Sequence, residues 1–181
     1  MSDVRKILDF WFSERVEKHW WKKDDAFDAE VRASFEPLYE KAAAGALSAW
    51  QDTPDGSQAL IIVLDQFPRN MYRGTPKAFA TDPQALAVAD WAVDKGFDLK
   101  VPVERRVFLY MPFEHSEDIE QQNRCIDLVR QRCNSENYVK YATAHRDVIA
   151  RFGRFPHRNA ILGRRNTPEE EAYLSDPEAG F

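Results

Sequence analysis

The sequence predicts an all-α protein built from antiparallel helix pairs stacked around one apolar helix at about residues 54–67. Three observations carry this. Apolar residues recur at intervals of three and four along most of the chain, the period of a helix face. Helix starts are written out as a hydroxyl or carboxylate followed by proline at Thr53-Pro54, Thr81-Asp82-Pro83 and Thr167-Pro168, a cap residue followed by a preset φ. No segment sustains the alternation of a half-buried strand.

In order, Val4, Ile7, Leu8 and Trp11 stand at i, i+3, i+4 and i+7 and define the first helix, with Asp3 a favourable charge at its N-terminus. After a polar linker holding Trp20 and Trp21, the stripe Phe27, Val31, Phe35, Leu38, Ala42 runs to a stop at Gly45. Pro37 is expected to kink or split this helix. Thr53-Pro54 opens the next, in which Ala59 to Leu64 is uninterrupted hydrophobe, the composition of a helix buried on most sides. Pro68 is expected to end it. That would leave Asp65 in a last turn, where the helix dipole disfavours an anion, so a cationic partner is required from Arg69, Arg73 or the arginines of 151–158.

From Thr81-Asp82-Pro83 a helix follows through Leu86, Ala89 and Val93 to Gly96. Pro102 opens another, whose apolar run Val107–Met111 is expected to end at Pro112. The acidic cluster in Phe113-Glu114-His115-Ser116-Glu117-Asp118 then leads into a helix through Ile119, Ile126, Val129 and Cys133. A last long helix carries Tyr138, Tyr141, His145, Val148 or Ile149, and Phe152, and Thr167-Pro168-Glu169-Glu170 begins a short one before a tail expected to fray from about Ser175.

The 181 residues read as a single domain, 1–181, and 44% hydrophobic content is enough for a sizeable core. A net charge of −5 argues against general nucleic-acid binding. No leader-like or bilayer-spanning run is present, so a cytoplasmic protein without membrane contact is expected. Cys125 and Cys133 lie on what reads as one helix, about 12 Å apart in rise, too far for a disulfide. There is no HxxxH, no Glu-x-x-His, no zinc-type cysteine spacing, no Gly-rich phosphate loop and no G-x-S-x-G. The sequence therefore calls for no metal, cofactor, nucleotide chemistry or α/β-hydrolase mechanism.

Candidate chemistry concentrates in three places. The segment RFGRFPHRNAILGR, Arg151–Arg164, holds four arginines, His157 and Asn159 and no acid, and its Phe155-Pro156-His157-Arg158-Asn159 echoes Phe67-Pro68-Arg69-Asn70. Arginine and asparagine at helix ends can bind a carboxylate or phosphate, and a histidine can move protons near neutral pH. Asp65, Arg69, Asn70, Arg73, His115, Arg154, Arg158 and Asn159 are the candidate ligand-binding residues, and Glu114 and His157 the candidate acid and base. The alternative is that these groups cap helices and pair with one another, as Glu114, Glu117 and Asp118 would in a helix's first turn and the arginines would with Asp65 and Glu114. His145, among tyrosines on an apolar face, reads first as a hydrogen-bonded core histidine.

The segments Ile7–Phe12, Trp20-Trp21, Leu64–Asn70, Phe108–Glu117 and Arg154–Asn159 together resemble the bacterial family known only as domain of unknown function 924, across nearly the whole chain. The resemblance implies a helical fold similar to tetratricopeptide-repeat proteins and brings no reaction with it. Two functional expectations stand. One is a pocket for a small anionic molecule, either binding or catalytic. The other is a helical module that binds a protein or peptide in a groove, its polar motifs purely structural. An excess of arginine over free acid in the motif segments favours the pocket.

Overall fold

The computed structural model describes residues 2–176. Ten α-helices follow one another: α1 (Asp3–Trp11), α2 (Glu14–Glu17), α3 (Asp25–Ala43), α4 (Pro54–Ile61), α5 (Phe67–Met71), α6 (Asp82–Asp94), α7 (Val107–Glu114), α8 (Ile119–Arg132), α9 (Glu136–Phe152) and α10 (Pro168–Leu174), with 3₁₀ turns between several of them and no strand among the described residues. The expected fraying tail lies, beyond Asp176, outside those residues.

The centre is the rod made by α4 and α5. Every residue from Gly56 to Pro68 is buried. α1, α6 and α7 pack on α4, α3 packs on α5, and α7, α8 and α9 pack each on the next. The sequence explains how the rod enters this crowd. Thr53 Oγ1 accepts the Gly56 N–H at 3.1 Å as N-cap, Pro54 presets the first turn, and a Cβ at position 56 would stand 2.1 Å from the Trp50 carbonyl. Only glycine allows that approach. Around the rod, Trp11 packs edge-on to Phe67 and Phe108, and Phe35 stacks on Phe67 at 4.6 Å.

Pro54, Pro83 and Pro168 open helices as read, but Pro37, Pro68, Pro102 and Pro112 behave differently from expectation. Pro68 does not end the helix. Ile62–Gln66 widen into a π-turn closed by the Phe67 N–H to the Ile62 carbonyl, and the chain continues as α5. A proline ring removes one bond and crowds the carbonyl four residues earlier. Here that carbonyl, Leu64, turns aside and accepts the Thr81 hydroxyl at 2.5 Å. Thr81 stands at the N-cap of α6, which opens at Asp82-Pro83 as read, but makes no side-chain capping bond because its hydroxyl is already committed. Pro112 likewise sits inside α7, which runs on to Glu114, and Pro37 sits within an unsplit α3. Pro102 leads only into a 3₁₀ turn, with α7 starting at Val107. Cys125 and Cys133 are free and buried, the second as the residue capping α8.

Candidate active site

The π-turn puts Asp65 in the middle of a continuous helix rather than at its end. Its side chain is completely buried, and three donors converge on it. His115 Nδ1 lies 2.8 Å from Oδ1, Gln66 Nε2 donates to Oδ2 at 2.6 Å, Arg69 Nη1 lies 3.2 Å from Oδ1, and the same Nη1 donates to the Asp65 carbonyl at 2.8 Å. Burial alone would raise this carboxyl, but the charge of Arg69 and the hydrogen bonds from His115 and Gln66 outweigh it and hold Asp65 ionised. A carboxylate can only accept. His115 therefore presents Nδ1–H to Asp65 and keeps its lone pair on Nε2. Burial and the neighbouring Arg69 push His115 below its ordinary value against the pull of Asp65, so the ring is neutral near pH 7.

His115 follows Glu114 at the end of α7, and both line a cleft of about 720 Å³. Burial, helped by the charge of Asp65, raises Glu114 to about 8, so it carries its proton at neutral pH. Its Oε1 lies 3.7 Å from His145 Nε2, and His145 Nδ1 is 2.9 Å from the Tyr141 carbonyl. An acceptor carbonyl fixes the proton on Nδ1 and turns the Nε2 lone pair toward the Glu114 acid. Burial lowers His145 to about 3; burial and Arg158 lower His157, also on the cleft, to about 4.

The cleft gathers Arg69, Asn70, Arg73, Glu114, His115, His157 and Arg158 from the three motif segments, with Asp65 just behind. Arg154 and Asn159 do not line it. Arg154 holds Glu170 of α10 at 2.6 and 2.8 Å, Arg151 holds Glu169 at 2.9 Å, and Asn159, fully buried, donates to Asn166 at 2.8 Å. The basic segment thus divides between anchoring α10 and facing the cleft. Glu114 has a histidine rather than an arginine beside it. Glu117 takes Arg164 at 2.6 Å and the Phe155 N–H, and Asp118 caps α8.

The expected surplus of arginine donors also needs correction. Arg69 binds Asp82 through two bonds of 2.8 and 3.0 Å, and Arg73 and Asn70 share Asp28. Asp28, Asp82, Glu169 and Glu170 lie outside the motif segments, so the sequence count left them out. Arg158 is the exception. It reaches Asp82 only at 3.4 Å, donates to the His115 carbonyl at 3.0 Å, stacks on Phe79 and Phe155, and keeps a buried Nε–H without a partner. Burial, with Arg69 nearby, lowers it to about 10, still a cation at pH 7.

Sequence reasoning missed Gln66 and the part of the wall made by Phe79, Tyr138 and Tyr141, which join Trp20 and Trp21 there, and its hydrogen-bonded core histidine, His145, also borders the cleft. A signal was available for the wall and for His145: Tyr138, Tyr141 and His145 stand at i, i+3 and i+7 on α9, one helix face. Among the described residues lining the cleft there is no serine, threonine or cysteine. The nearby Cys125 is buried, donates to the Tyr110 carbonyl at 3.6 Å, and has its thiol pushed well above the ordinary range by burial. No group of three or more His, Cys, Asp or Glu among the described residues could hold a metal ion. None of the described helices is long and apolar enough to cross a membrane.

Fold and cleft together define an all-helical protein with a buried carboxylate–histidine pair beside a protonated glutamic acid. The chain belongs to the family described as bacterial protein of unknown function, DUF924, whose model matches residues 7–178. It is similar to the solved structure of a protein of unknown function from Agrobacterium tumefaciens, with 44% identity over 95% of this chain and 96% of the other and a TM-score of 0.90. No curated protein matches.

Proposed function

We propose that the cleft is an active site for proton transfer on a small carboxylate-bearing molecule. His115 is the base, oriented and kept in the right tautomer by Asp65. Glu114 is the acid, with the neutral ring of His145 3.7 Å away. Arg158, on the lining, faces the anionic group, and His157 lines the site as a neutral polar wall. One observation carries this reading: His115 Nδ1 is 2.8 Å from the fully buried Asp65, while the ring borders an open cleft. That arrangement yields a neutral imidazole with an available lone pair at physiological pH, matched to general-base work. The absence of a serine, threonine or cysteine nucleophile on the described lining favours direct proton transfer, or addition of water, over acyl transfer.

The sequential packing of α6 on α7, α7 on α8 and α8 on α9 supports the tetratricopeptide-like array as the scaffold. A peptide groove on such an array would spread its polar residues along helix faces. Here Arg69 to Arg73, Glu114, His115, His157 and Arg158 come from helix ends and turns instead, which supports a compact small-molecule site.

The test is solvent deuterium exchange at C–H positions next to the carbonyl of small oxo-acids and aryl-substituted acids, followed by ¹H NMR with catalytic amounts of protein. Exchange that is lost in His115→Gln and slowed in Glu114→Gln supports the reading. Exchange unaffected by His115→Gln, or none with any acid that binds, overturns it.

A further inference from the structure

The composition of the cleft goes beyond an anion site and points to the class of substrate, an inference that rests on the proton-transfer cleft being the occupied site. We propose that its ligand is the monoanion of an aromatic or heteroaromatic carboxylic acid, its ring laid on Trp21 and its carboxylate held between Lys22 and Arg158.

The ring argument starts from Trp21. It is 59% exposed, yet it is not loose: its indole lies nearly parallel to the fully buried Phe108, at 6.0 Å and 7°, and Trp20 meets it edge-on at 6.1 Å. Tyr138 stands beside it at 6.4 Å. One face is thus braced by the core and the other supplies the exposure. Tyr141, 52% exposed, lines the same cleft one turn along α9 from Tyr138. Trp91, the other exposed tryptophan, is not on the cleft and gives its indole N–H to the Gln51 carbonyl. Large aromatic faces held rigid and wet at a cleft mouth are ring-stacking platforms with little entropy left to lose.

The charge argument selects carboxylate over phosphate. Arg69, Arg73 and Arg158 in the lining are matched by Asp65, Asp28 and Asp82. At the lip, Lys23 has Asp25 at 3.8 Å, whereas Lys22 has no carboxylate partner among the described residues. What remains for a ligand is one lysine next to the Trp21 platform and, on the same lining, the guanidinium of Arg158, whose one carboxylate lies only at 3.4 Å. Those compensate a single negative charge. A dianion would enter a cleft whose other cations are already neutralised, and it would face the buried Asp65.

The test uses the full chain at neutral pH, titrated with indole-3-acetate and phenylacetate, with cyclohexylacetate as the ring control, phenylacetamide as the charge control, and phenyl phosphate and inorganic phosphate as dianion controls. Tryptophan fluorescence and NMR line shifts read the affinity. Aryl carboxylates should bind at least about fivefold tighter than each control, and Trp21→Ala should weaken them by a similar factor while leaving the unfolding midpoint unchanged, since its indole is largely outside the core. Equal affinity for cyclohexylacetate, tighter binding of either phosphate, or indifference to Trp21→Ala would overturn the assignment. So would failure of every probe to bind. The two proposals separate cleanly: aryl carboxylates that bind without deuterium exchange overturn the proton-transfer reading alone, and exchange confined to aliphatic acids overturns the ring assignment alone.

Discussion

Replacing Glu114 by glutamine should make the protein more stable at alkaline pH. Glu114 has an ordinary value of 4.5, raised to about 8 in the fold by burial and by Asp65. Between those values the folded state holds a proton that the unfolded state has released, so stability falls as pH rises, and the loss is complete above the folded value. The histidines work in the opposite sense. His145 and His157, lowered to about 3 and about 4, leave the unfolded state binding more protons below its ordinary 6.5, so stability rises with pH up to that point and is then flat. From pH 6.5 to 8 Glu114 therefore dominates, and about 1.5 units at about 1.4 kcal/mol each give a fall of about 2 kcal/mol. Glutamine keeps the shape, can donate an N–H toward His145, and does not titrate. Urea unfolding of both proteins across pH 5 to 9 reads the difference. A wild-type curve that peaks near pH 6.5 and a variant flat from there to pH 8 are the expected result. Parallel curves would refute a buried, protonated Glu114.

Three other perturbations follow from the same geometry. Asp65→Ala takes the acceptor from the buried His115 Nδ1–H and Gln66 Nε2 and one of two carboxylates from Arg69, which keeps Asp82, and should cost about 1–3 kcal/mol in urea unfolding. Thr81→Val should cost about 1–3 kcal/mol, because it leaves the Leu64 carbonyl of the π-turn buried without a donor. Gly56→Ala must displace either α4 or the Trp50 carbonyl, and should cost about 1–3 kcal/mol in thermal unfolding.

Much of the fold was legible because helix periodicity and caps are local. The stripe Val4-Ile7-Leu8-Trp11, the Thr53 cap and the wholly apolar Ala59–Leu64 each read correctly, and each depends only on near neighbours in the chain. Pro68 did not, since whether it ends a helix depends on whether a distant donor, the hydroxyl of Thr81, is there to take the freed carbonyl. The site was legible in its types and not in its partnerships. Asp65 with Arg69 is an i, i+4 pair and could be anticipated; Arg73 with Asp28 and Arg154 with Glu170 are tertiary pairs, and a count of charges within motif segments had no access to them. His145 was read as core because its face of α9 is flanked by tyrosines. The same face borders the cleft, so a buried, hydrogen-bonded core histidine also forms part of a pocket wall.

The protonation state of the site is the claim on which the rest depends, and it can be observed without any ligand. Protein labelled with ¹⁵N at the histidine rings and ¹³C at the glutamate carboxyls should show, at pH 7, His115 neutral with its proton on Nδ1 and Glu114 as the protonated acid, titrating near pH 8. A His115 ring protonated on Nε2, or a Glu114 carboxylate already ionised at pH 7, would contradict it.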